Sequence, residues 1–114
     1  MSDSAIEITW AGGTHVFDMN SRRVSWMLQQ SRHPFPGEYG DTPAAALRRF
    51  DETLYSPDDI ERVMRIGLLG GGLTEVEAEQ LIAAHVRNQP LAPSAMVATA
   101  VLSALFVGAS SGNS

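Results

Sequence analysis

"AMVATAVLSALFVGA" (residues 95–109) lies in a chain end that carries no charged side chain after Arg87. Such a run serves as a membrane span, a core helix or a docking surface, and each implies a different fold. As a helix it is ~22 Å long at 1.5 Å per residue, short of the ~30 Å hydrocarbon core of a bilayer. Lengthening it back to Leu91 brings in Pro93 and Ser94. Most of it is Ala, Ser, Thr and Gly, which contribute little to insertion, and no Arg, Lys or Trp flanks either end. The run reads as a helix of a globular fold, with no membrane partner.

A helix apolar all round still needs cover on every side, and a small domain has few neighbouring helices to supply it. Ala95, Thr99 and Ser103 form a stripe of small residues that permits close helix approach. Val97, Val101 and Leu105 form one bulky face, and Leu102 and Phe106 lie on another. One face fits the chain's own domain, which leaves the other for a second protein. Val97, Val101, Leu102, Leu105 and Phe106 are therefore the candidate partner-binding residues.

Working back from this helix, Pro90 and Pro93 end one helix and open the last, which runs to about Val107 with Gly108 as its C-cap. Residues 108–114 then read as a flexible tail. Thr74 and Glu77 have the spacing of a capping box, for a helix that buries Ala78, Leu81, Ile82 and either His85 or Val86. The turn Gly70-Gly71-Gly72 precedes it, with at least one glycine expected at positive φ. Before the turn, Ser56-Pro57-Asp58-Asp59 opens the clearest amphipathic helix, with Ile60, Val63, Met64, Gly67 and Leu68 on one face. Thr42-Pro43 opens another, with apolar positions Leu47, Phe50 and Leu54.

The prolines and glycines of "HPFPGEYGD" mark a loop within residues 32–41, and Val24, Trp26, Met27 and Leu28 suggest a helix over about 21–31. Between residues 5 and 19 the period is two: Ile6, Ile8 and Trp10 alternate with Glu7 and Thr9, and "THVFDM" follows Gly12-Gly13. A glycine pair between β-prone runs predicts a hairpin turn at those glycines. Two strands alone are marginal in water, so the hairpin must rest on something apolar. Trp10, Phe17, Trp26, Phe35 and Tyr39 are expected to fill the space between hairpin and helices. The reading is a single α+β domain over residues 1–114, mostly α, with an N-terminal β-hairpin (5–19) packed on about five short helices (21–107).

Composition narrows the function. The chain has 114 residues, 44 % of them hydrophobic, which suffices for a packed core. Thirteen acids against eight bases give a charge of −5, and every base is Arg. That balance argues against nucleic acid as a partner, since phosphate neutralisation needs clustered positive charge. No cysteine is present, so thiolate metal sites and disulfides are excluded. "MSDSAIEITW" lacks the basic region and apolar run of a secretion signal, and a cytosolic chain is expected.

Site chemistry is not visible. "GLLGGGLT" invites a phosphate-loop reading, but the loop lysine is missing and Glu75, Glu77 and Glu79 would repel a phosphate. His15, His33 and His85 show no ligand spacing. Asp51, Glu52, Asp58 and Asp59 sit at a helix end and a helix start, where capping and solvation account for them. Ser56, Ser94 and Ser103 lack a nucleophile context. No catalytic, cofactor or metal site is expected, and the chain reads as a binding module rather than an enzyme.

Across residues 65–108, "RIGLLGGGLTEVEAEQLIAAHVRNQPLAPSAMVATAVLSALFVG", the order of features becomes specific. A G-L-x-G-G-G turn (Gly67, Leu68, Gly70, Gly71, Gly72) precedes an E-A helix (Glu77-Ala78). A P-L turn (Pro90-Leu91) then precedes an Ala/Leu-rich helix ending at Gly108. This order resembles the gene-transfer-agent tail protein family, which is grouped with phage tail assembly chaperones and also labelled a phage tail tube family. The hairpin and first helix agree in layout, so the resemblance spans nearly the whole chain. Leu28-Gln29 stands where the family pattern has Leu-Glu, and "SRHPFPGEYGD" is longer and richer in proline.

The resemblance implies a non-enzymatic protein of tail morphogenesis that holds the long tape-measure protein until the tube polymerises around it. It implies a tape-measure or other tail protein as partner and residence in the bacterial cytoplasm or the finished particle, and the surplus apolar face of the last helix also allows self-association. Two other readings stay open. A structural tail-tube subunit needs a larger ring-forming sheet than one hairpin, and a small helical adaptor usually shows a basic, DNA-facing helix.

Overall fold

Alternating residues at the N-terminus form strands β1 (Ile6–Trp10) and β2 (Gly13–Phe17), paired antiparallel with Ile6 opposite Phe17 and Trp10 opposite Gly13. The structure, a computed structural model, describes residues 5–30 and 34–108. His33 and most of the expected tail lie outside the described residues. Ile6, Ile8 and Trp10 turn towards the protein while Glu7 and Thr9 are exposed, as the period of two predicts.

The turn itself departs from expectation. Its two central residues are Ala11 (φ +56°) and Gly12 (φ +76°), a primed turn one position earlier than Gly12-Gly13. Gly13 is already in the ladder. An alanine in the left-handed region costs roughly 1 kcal/mol. The register that offsets this cost is set outside the hairpin, where Phe17 is fully buried and the Asp18 N–H donates to the Gly67 carbonyl at 3.0 Å.

Among the described residues five helices follow: α1 (Arg22–Gln30), α2 (Pro43–Asp51), α3 (Pro57–Gly70), α4 (Glu75–His85) and α5 (Leu91–Val107). The fold is α+β and mostly α, with the N-terminal hairpin packed on the helices. The local start signals act as expected. The Thr42 hydroxyl accepts from the Ala45 N–H at 3.1 Å, and Pro43 opens α2. Ser56 with Asp59, and Thr74 with Glu77, form reciprocal capping boxes.

One stop signal is not legible in the sequence. α2 ends at Asp51, and Thr53 takes a left-handed φ of +57° so that Leu54 N–H reaches the Arg49 carbonyl at 2.7 Å. This is a Schellman-type end without glycine, and it leaves Leu54 half exposed outside the helix instead of on its apolar face.

α3 is the central element, buried through Ile60, Val63, Met64, Ile66, Leu68 and Leu69 and packed against α1, α4, α5 and β2. Its glycines make the hairpin's approach possible. A Cβ on Gly70 would overlap the Asp18 carbonyl oxygen, and one on Gly71 the Val16 carbonyl oxygen. Gly72, at φ +113°, supplies the expected positive φ and faces open space. On α4, Ala78, Ile82 and the capping Val86 are buried, whereas Leu81 is half-buried and His85 exposed.

The aromatic core is smaller than expected. Trp10, Phe17 and Phe35 are buried, but Trp26 is 63 % and Tyr39 44 % exposed. Trp26 lies on α1 beyond the one residue, Val24, that the helix buries. Tyr39 lies on the surface against the Arg48 guanidinium, 3.7 Å from its ring centroid, and its hydroxyl donates to Glu52 at 2.5 Å.

Candidate docking surface on the last helix

α5 is anchored at its start. The Trp10 indole N–H donates to the Ser94 hydroxyl at 3.3 Å, and Trp10 also makes edge contacts with His15, Phe17 and His85. A buried indole needs such an acceptor, and Ser94, itself buried, provides it within the first turn. From there Ala95, Ala98, Val101, Leu102 and Ala104 face inward. Val101 approaches Gly67 of α3 so closely that a Cβ there would lie 3.1 Å from its Cγ1. The small residues on both helices let their axes come together.

These placements correct part of the expected partner surface. Val101 and Leu102 are 1 % and 0 % exposed and belong to the chain's own core. Val97 and Leu105 are half-buried against that core. Of the five candidates, Phe106 alone is exposed, at 50 %. The expected small-residue stripe is also rotated: Ala95 is buried, and the Thr99 hydroxyl bonds back to the Ala95 carbonyl at 2.8 Å.

The outward face consists instead of Ala92, Met96, Ala100 and Val107, with half-buried Ser103 between the last two and Phe106 beside them. Met96 is 74 % and Val107 65 % exposed. The helix has no charged side chain anywhere along its length, so nothing in its sequence marks the wet side. Spacing alone then leaves the rotation about its axis open, which is why it does not single out Met96, Ala100 and Val107. The one orienting signal is Ser94, a hydroxyl in the first turn that a buried Trp10 can use.

Elsewhere the surface carries a network of paired charges. Arg87 bridges Glu61 and Glu79, and Arg65 also pairs with Glu79, which joins α3 to α4. A shallow groove lined by Asp58, Glu61, Arg62, Arg65 and Ile66 runs along α3 beside this network. The hydrogen bond from Arg87, helped by Arg65, holds the Glu79 carboxyl below its usual range against the opposing effect of desolvation. Among the described residues no cluster of three His, Cys, Asp or Glu side chains is placed to hold a metal. No helix among them is long and apolar enough to cross a membrane.

Residues 3–108 match the family described as phage tail tube protein, GTA-gp10. The chain belongs to this family. No curated protein and no solved structure matches it. It is thus a tail-related protein of the phage and gene-transfer-agent kind. The glycines of the family-like turn have a structural reason here, since Gly70 and Gly71 seat β2 on the end of α3.

Asp59 is not the solvated helix-start acid that its position suggests. It is 4 % exposed and paired with Arg49, which is buried at 1 %. No local spacing rule reveals a pair ten residues apart on two helices.

Proposed function

We propose that this protein is a tail assembly chaperone that holds a helical segment of the tape-measure protein on the outward face of α5. The charge-free outer surface of α5 carries this reading. Met96, Phe106 and Val107 offer apolar area, each side chain worth roughly 1–2 kcal/mol when the exposed part is covered. Ala100 and Ser103 lie between them, and Ala92 ahead of Met96, as low points into which the ridge of another helix fits. The face holds its partner without ion pairs, as suits a holder that later releases its cargo.

A structural tail-tube subunit is the second reading, favoured by the family's own description. Among the described residues the sheet has two strands, which is little material for a tube wall.

The deciding experiment co-expresses the tagged chain with the tape-measure protein of the same particle. Co-purification is expected, with loss of the partner from the Ala100→Arg variant while its circular dichroism stays helical. A tape-measure protein that never co-purifies, together with purified chain that polymerises into rings or tubes, overturns the chaperone reading in favour of the tube.

A further inference from the structure

Trp10 and Gly13 flank the two-residue turn and form the first pair of the ladder. In such a hairpin the flanking pair is hydrogen-bonded, and bonded pairs alternate with unbonded ones. Ile8–His15 and Ile6–Phe17 are then the bonded pairs, and Thr9–Thr14 and Glu7–Val16 the unbonded ones. The main-chain N–H and C=O groups of Glu7 and Thr9 consequently point away from β2. On the far side of β2 the Val16 carbonyl faces Gly71, so the end of α3 covers that edge. The β1 edge is different. The sheet stops there, and no other hydrogen bond within the described residues reaches the main chain of Glu7 or Thr9. Open edges are normally blunted by a bulge, a proline or charged side chains; β1 pairs through five consecutive residues without a bulge, Pro or Lys, and Glu7 is its one charge.

We propose that β1 pairs antiparallel with β1 of a second copy, giving a four-stranded sheet across a two-fold axis at Ile8. The strand itself argues for this occupant. Setting Ile8 against its own copy places Glu7 opposite the second copy's Thr9 and Ile6 opposite the second copy's Trp10. Glu7 and Thr9 then exchange main-chain bonds on both sides of the axis, so the edge is complementary to itself. No acid faces an acid, although each chain carries a charge of −5. The two helical layers fall on one side of the joined sheet, and α5, the helix packed on β1, brings no charged side chain to that junction. A helical ligand has no free N–H and C=O groups at strand spacing with which to use the edge. This inference is independent of the tape-measure reading.

The interface is small, so association is weak and strengthens with salt as the like net charges are screened. Sedimentation of the full chain over a concentration series tests it. Thr9→Lys sets a lysine opposite Glu7 twice per dimer and is expected to tighten association by roughly two- to thirty-fold. Thr9→Glu loosens it by a similar factor, and the swap Glu7→Lys/Thr9→Glu restores it. Within one hairpin Glu7 faces Val16 and Thr9 faces Thr14, so the swap makes or breaks no charge pair there, and the single and double variants separate a charge effect from a change in hairpin stability. A chain that stays monomeric at every concentration overturns the proposal. So does a dimer indifferent to these charges, or one lost instead on Ala100→Glu, which would seat it on α5.

Discussion

Arg49 and Asp59 form a buried bidentate ion pair, with Nε to Oδ2 at 3.1 Å and Nη2 to Oδ1 at 2.8 Å. The other arginine donors reach main-chain carbonyls of Phe35 (3.0 Å), Glu38 (2.9 Å) and Gly40 (3.1 Å). Every N–H of the guanidinium is thereby used. Asp59 in turn accepts from the Ser56 N–H at 3.0 Å, so one pair joins α2, the start of α3 and the loop before α2. A planar fork with five donors performs this joint, and a lysine ammonium has neither the reach in two directions nor the donors.

Removing one partner strands the other charge in the interior. Arg49→Met is expected to lower the unfolding free energy by about 3–5 kcal/mol, a large fraction of what a domain this size possesses. Arg49→Lys should recover only part of it. Denaturant titration of both variants, with the Asp59→Ala single and the double mutant, closes a cycle in which the double loses less than the sum. Additive losses would mean that the two side chains act separately.

Acid should act on the same joint. Burial pushes the Asp59 carboxyl up, but hydrogen bonds from Arg49 and the Ser56 main chain outweigh it and hold the group below its ordinary 3.8. A depressed carboxyl means that the unfolded chain binds the proton more readily. Its stabilising contribution is therefore complete above about pH 3.8 and is lost as pH falls through the lower folded value. Wild type should lose stability more steeply than Asp59→Asn as pH falls below about 3.8. Parallel curves for the two proteins would count against the pair as the acid-sensitive element.

The glycine turn separates two kinds of cost. Gly72→Ala meets no neighbour but keeps a left-handed backbone, at roughly 1 kcal/mol. Gly70→Ala and Gly71→Ala drive a methyl into the carbonyl oxygens of Asp18 and Val16, which forces the hairpin off α3 and costs about 1–3 kcal/mol or more. Melting curves should therefore rank Gly70 and Gly71 well below Gly72. The reverse order would show that backbone conformation, not close approach, is what the turn needs.

How far the sequence reveals this molecule depends on the range of each interaction. Thr42, Ser56 and Thr74 are legible because a cap is satisfied within three residues. The hairpin is legible from its alternation, but its turn lies one position away from the glycine pair because the register answers to Gly67 and Gly70 some fifty residues away. Arg49 and Asp59 are invisible as a pair, since each has an adequate local explanation on its own helix. On α5 the helix is plain and its rotation is not, because an uncharged sequence gives no polar side to read.

That rotation makes a paired experiment decisive for α5. Leu102 is fully buried and touches the common core, so Leu102→Ala should cost about 2–5 kcal/mol and Leu102→Glu should unfold the chain. Met96 is the most exposed large apolar side chain of the helix, and Phe106 is half exposed on the same turn as Val107. A charge at Met96 should change stability by no more than about 0.5 kcal/mol, whereas Phe106→Glu also gives up the buried half of the ring and should cost roughly 1 kcal/mol. Met96→Glu is therefore expected to melt like wild type and Phe106→Glu to stay folded with a modestly lower melting temperature, while both release the co-expressed tail partner. Such a contrast would divide the helix in two, with the Leu102 side folding the domain and the Met96 side meeting another chain. If Met96→Glu and Phe106→Glu unfold the protein, the outer face is core in solution. If both fold and retain the partner at full strength, α5 is not where the partner sits.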